Sequence, residues 1–76
     1  MTTVDRLFDK YGRMRLNLEE LAEQLGITIT TLYSKLTKGT CPVKTYKERG
    51  AARFADIRDV AAYLDACRAK AKEETT

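Results

Sequence analysis

The chain has 76 residues, of which 43% are hydrophobic and 33% charged, with a net charge of +3. That length holds one hydrophobic core and leaves no room for a deep substrate cleft. No apolar run approaches the ~20 residues of a membrane span, and the absence of histidine removes the usual general base and every histidine-containing metal site.

Val4, Leu7, Phe8 and Tyr11 fall at i, i+3, i+4 and i+7. They predict a first helix over Thr3 to Tyr11, ended by Gly12 in a left-handed turn. Arg13-Met14-Arg15-Leu16 alternates polar and apolar residues and predicts a short strand. Asn17 opens a second helix as its cap, with Glu20 three residues on completing a capping box. Leu18, Leu21, Ala22 and Leu25 form its buried stripe, and Gly26 stops it. Thr28 caps a third helix that carries Ile29, Leu32, Tyr33 and Leu36 on its apolar side and ends at Gly39, with Pro42 beyond. Two short helices joined by a tight glycine turn are the helix-turn-helix pattern.

From Val43 to Ala55 the period drops to two. Val43 and Thr45 alternate with Lys44 and Tyr46, Glu48-Arg49-Gly50 reads as a turn, and Ala52 and Phe54 alternate with Arg53. This predicts a hairpin with a basic tip. Asp56 caps the last helix, Asp59 sits in its first turn, and Ile57, Val60, Ala61, Leu64 and Cys67 supply the inner face. Glu73 to Thr76 is a fraying tail. The sequence therefore predicts a single domain over 1–76, mainly α with a small β-hairpin: a winged helix-turn-helix.

The charge is unevenly placed. Residues 33–53 carry Lys35, Lys38, Lys44, Lys47, Arg49 and Arg53 against Glu48 alone, a net of +5, while the segments before and after each balance at −1. A central basic block is the electrostatic footprint of a polyanion-binding face. Reading duplex DNA takes cations for phosphates and a helix whose short polar side chains reach base edges. Thr28, Thr30, Thr31, Ser34, Lys35 and Lys38 are expected on the outward side or first turn of the third helix. Thr30, Thr31, Ser34 and Lys35 are the expected base contacts; Lys38, Lys44, Lys47, Arg49 and Arg53 are the expected phosphate or minor-groove contacts. Thr28 is a cap before it is a DNA ligand. Tyr33 reads as half-buried packing, Tyr63 as core or dimer surface, and Tyr46 stands between packing and contact. Lys35, Arg49 and Arg53 are expected to share one open face.

Other chemistry finds little support. Cys41 and Cys67, with no CxxC, cannot close a zinc site and read as small buried or half-buried side chains in a reducing, cytoplasmic compartment. The glycines are isolated turn residues, not a phosphate loop. Asp56 and Asp59 are explained by helix capping. No enzyme activity, metal or cofactor is expected.

Leu21-Ala22-Glu23-Gln24-Leu25-Gly26-Ile27-Thr28-Ile29-Thr30-Thr31-Leu32-Tyr33 resembles the helix-turn-helix of MerR-like and excisionase-type DNA-binding proteins. The first helix ending Tyr11-Gly12, the Pro42-Val43 step and Phe54-Ala55-Asp56-Ile57-Arg58-Asp59-Val60-Ala61-Ala62-Tyr63-Leu64-Asp65 resemble, over nearly the whole chain, the pyocin activator family of small phage-related transcription activators. The resemblance implies a sequence-specific double-stranded DNA-binding regulator, most simply an activator. Two alternatives stay open. One is an excisionase that bends DNA beside an integrase; the other is a small phage-type protein that binds a host protein. Implied partners are double-stranded DNA, further copies of the chain as a homodimer or cooperative oligomer, and RNA polymerase or an integrase, with no membrane.

Overall fold

A computed structural model describes residues 1–47, 50 and 52–75, the last two by their helical backbone alone. Four helices and three strands follow one another as α1 (Thr3–Tyr11), β1 (Arg15–Asn17), α2 (Leu18–Leu25), α3 (Ile29–Lys38), β2 (Tyr46–Lys47), β3 (Arg53–Asp56) and α4 (Ile57–Thr75). The chain is mainly helical with a small antiparallel sheet, the arrangement of a small winged-helix-like fold.

Local chemistry sets the helix ends. Asn17 Oδ1 accepts from the Glu20 N–H at 2.8 Å, and the Glu20 carboxylate accepts from the Asn17 N–H at 3.0 Å, so the expected capping box is present. Thr2 and Asp5 form a second capping box at the start of α1, one the sequence reading passed over. Gly26 ends α2 at φ 72°, a left-handed conformation that side-chain-bearing residues adopt at a cost, and its neighbour Ile27 bonds back to the Ala22 carbonyl at 3.1 Å.

The sheet order is β1-β3-β2. Leu16 faces Ala55 across the β1–β3 pair, and both are fully buried. Arg15, Asn17, Phe54 and Tyr46 therefore fall on the opposite face of the pleat. The core gathers Leu7 of α1, Leu16, Leu21 and Ala22 of α2, Leu32 of α3, Val43, Ala55, and Ile57, Val60 and Ala61 of α4.

Several expectations need correction. The first strand is Arg15–Asn17 rather than 13–16. Arg13 folds its guanidinium onto the Glu20 carboxylate at 2.6 and 2.7 Å and onto the Arg15 carbonyl at 3.2 Å, so the chain bends through 12–14 before extending. That strand pairs with β3 as one edge of the sheet. The first arm of the hairpin is shorter than expected. Val43 and Thr45 lie outside β2: Pro42 has no N–H to give a ladder, and the Val43 carbonyl accepts from the Cys41 thiol at 3.2 Å. The alternation survives in burial alone, with Val43 buried, Thr45 half-buried and Lys44 exposed. Gly50 lies in a turn, while Glu48 and Arg49 lie outside the described residues. Cys41 is half-buried, but Cys67 is exposed, because α4 has run past the core by that turn.

Candidate nucleic-acid interface

The third helix buries Leu32, half-buries Ile29, Lys35 and Leu36, and exposes Thr30, Thr31, Tyr33, Ser34, Thr37 and Lys38. At about 100° per residue, Ser34 is the centre of the outward face, with Thr30, Thr37 and Lys38 around it. Four short or flexible polar side chains thus point away from the core on one helix face.

Thr28 has a different task. Its hydroxyl oxygen accepts from the Thr31 N–H at 3.1 Å and its proton goes to Thr31 Oγ1 at 2.9 Å. Both capabilities are committed to the start of α3. Thr37 donates to the Tyr33 carbonyl at 3.0 Å, which uses its proton and leaves its oxygen free to accept. The first turn of α3 contains no acid, in contrast to α1, α2 and α4. Apart from the Thr31 N–H that Thr28 caps, the N–H dipoles of that turn meet no acidic side chain of their own.

Beside α3 lies an open groove of about 560 Å³. Tyr33, Leu36 and Thr37 of α3 line it together with Arg53 and Phe54 of β3 and with Asn17, Leu18 and Glu19 at the start of α2. The third helix and β3 thus share one concave surface. Arg53 is held there by a bond from its guanidinium to Thr45 Oγ1 at 3.2 Å. Phe54 is flanked by Tyr46, ring centres 6.3 Å apart, and by the Arg15 guanidinium at 4.3 Å.

Lys35 does not join this surface. It is half-buried, and two residues from both Tyr33 and Thr37 places it roughly 160° round the helix from the groove wall. Lys35 and Arg53 therefore do not share one open face, and Arg49, the third member of that expected set, lies outside the described residues. Tyr33, expected as half-buried packing, is 55% exposed. Tyr33 and Thr37 are the residues missed by sequence reasoning. The signal for Thr37 was its spacing: it stands three after Ser34 and seven after Thr30, on the same face.

The ion pairs add a contrast. Lys10 pairs with Glu23 at 2.6 Å, Arg13 with Glu20 at 2.6 Å and Arg58 with Asp56 at 2.7 Å, all outside the basic block. The Arg13 guanidinium holds the Glu20 carboxyl below its ordinary range, and Arg58 does the same to Asp56. Lys35, Lys38, Lys44 and Lys47 form no ion pair among the described residues. Three of them, Lys38, Lys44 and Lys47, are exposed. These three ion pairs among the described residues thus all lie on the flanks, and the four described lysines of the block have none. Among the described residues no group of three metal-ligating side chains converges, and no helix is long and apolar enough to cross a membrane.

A family model described as "Pyocin activator protein PrtN" matches residues 3–71. No curated protein and no solved structure matches the chain.

Proposed function

This chain belongs to the pyocin activator protein PrtN family, a family of phage-related transcriptional activators, and we propose that it acts as a sequence-specific double-stranded DNA-binding regulator. In this reading α3 enters the major groove. Thr30, Ser34 and Thr37 reach base edges or thymine methyl groups, and Thr31 lies at the entering end. Lys38, Lys44, Lys47 and Arg53 contact phosphates, Arg49 adds a cation to the same block of sequence, and Lys35 gives only a distant charge. A phosphate strand lies in the groove between Tyr33 and Arg53.

The observation that carries the reading is the coincidence of an outward polar helix face with cations that lack internal partners. Neither feature alone is specific to DNA; a helix face of threonine and serine beside uncompensated lysines matches what a duplex offers, base edges within a fence of phosphates.

Selection from a random duplex library at roughly physiological salt, ~0.15 M, tests it. Enrichment of a defined motif is the expected result. Retention without enrichment, abolished by moderate salt, overturns sequence-specific reading and leaves a non-specific basic patch. Closely spaced direct repeats in the selected sites would move the assignment from activator to excisionase.

A further inference from the structure

A second surface lies away from the groove. Met1, Phe8 and Met14 are large apolar side chains exposed at 90%, 45% and 45%. With Val4 they line an open cleft of about 510 Å³, rimmed by Asp5 and Asp9. The opposite side of α1 packs on α4: Leu7 is buried there, and Thr3 Oγ1 donates to Asp65 Oδ1 at 2.6 Å. The cleft shares no residue with the groove beside α3.

The same chain carries a segment of complementary character. Ile57, Val60 and Ala61 bury the start of α4, Tyr63 and Leu64 are half-buried, and every described side chain from Asp65 to Glu73 is exposed. That stretch is about 14 Å of helix with its described side chains exposed. Ala62, Ala66 and Ala69 fall at i, i+4 and i+7, all exposed, so a close-fitting apolar ridge runs along it. Arg68 and Lys70 lie beside the ridge and form no ion pair among the described residues. An apolar cleft with an acidic rim thus stands on the same chain as a slim apolar ridge with basic flanks. The chain cannot satisfy itself, because its α4 already lies along the other side of α1.

We propose that the cleft on α1 receives the carboxy-terminal half of α4 from a second copy, with Asp5 and Asp9 against that copy's Arg68 and Lys70. Both surfaces are on every copy, so a reciprocal exchange uses the cleft twice and closes into a two-fold dimer. The doubling matters, since a stable association buries about 1,200 Å² or more in total. This contact goes beyond the DNA reading and does not depend on it.

Sedimentation equilibrium without DNA tests it. The wild type is expected as a dimer in the micromolar range. D9K alone, and R68E/K70E alone, each turn attraction into repulsion at two symmetric contacts and weaken association by about tenfold. D9K/R68E/K70E, with the signs exchanged, returns to within about threefold of wild type. All these positions are exposed, and circular dichroism checks that each variant is folded. A wild type that stays monomeric overturns the proposal. So does a dimer indifferent to both single-sided reversals, or reversals that add instead of cancelling. None of these outcomes bears on motif enrichment in the duplex selection, so the two readings fail separately.

Discussion

The Arg15 guanidinium lies 4.3 Å from the centre of the Phe54 ring, a diagonal neighbour two residues off register across the β1–β3 pair. A cation over an aromatic face joins the strand that precedes α2 to the strand that follows the hairpin tip. Tyr46 flanks the same ring from β2, so the outer face of the sheet is tied together by side chains as well as by its ladder. A double-mutant cycle of Arg15→Ala and Phe54→Leu should give a coupling of about 0.5–1 kcal/mol in urea unfolding. Strict additivity would show that the stacking contributes nothing.

Thr28→Ala should cost about 1 kcal/mol of stability, because the Thr31 N–H at the start of α3 loses its acceptor. Thr28→Ser should recover most of it, since the serine hydroxyl offers the same bond. Thermal unfolding of the pair separates capping from a direct DNA contact: a cap loses stability in the free protein, a ligand does not.

Removing cations should distinguish members of the basic block. With roughly five phosphate contacts, the slope of log K against log salt is about −4 to −5, and Lys44→Ala and Lys47→Ala should each flatten it by about one. Lys35→Ala should leave slope and base preference nearly unchanged, given its half-buried place on the far flank of α3. Ser34→Ala and Thr37→Ala should instead relax base preference with little effect on the slope. Titrations at several salt concentrations, on selected and scrambled duplexes, read all five. A strong loss of preference in Lys35→Ala would contradict the assigned face.

Acid should loosen the fold through Glu20. The Arg13 side chain, aided by the Asn17 N–H, holds the Glu20 carboxyl below its ordinary value of 4.5 in the folded state. The unfolded chain therefore takes up that proton first. The stabilisation is present above about pH 4.5 and is lost as pH falls through the lowered folded value. Glu20→Gln removes this linkage, and its stability should decline less steeply with acid than that of the wild type. A residual slope is expected from Asp56, whose carboxyl Arg58 lowers in the same way. Identical acid limbs in chemical denaturation at stepped pH would show that the Arg13–Glu20 pair is silent.

What the sequence made legible was local. The bounds of α1, the caps Asn17 and Thr28, and the left-handed ends at Gly12, Gly26 and Gly39 all follow from contacts within five residues. The pairing of β1 with β3 joins residues about forty positions apart, and nothing in Arg15-Leu16-Asn17 itself announces Phe54 or Ala55 as its partner. The same limit governs the candidate site. Residue type selected Thr30, Ser34 and Lys38, and their exposure agrees. It also selected Lys35, because a lysine on a reading helix suggests guanine, but helical phase decides where a side chain points. Tyr33 was read as packing from its neighbour Leu32; the groove that leaves it exposed is made by Arg53 and Phe54, which arrive from the far side of the hairpin. Exposed Cys67 follows from where the core stops, which the apolar pattern of α4 alone does not reveal.

Asn17 ends β1 and caps α2 in the same residue, and Asp56 ends β3 while its carboxylate takes the Arg58 N–H at the start of α4. Neither joint contains a spare residue. The hairpin is consequently coupled to the helices like a crank keyed to its shaft. Each strand runs straight into its helix, so no linking residue takes up slack if the sheet turns against α2 or α4.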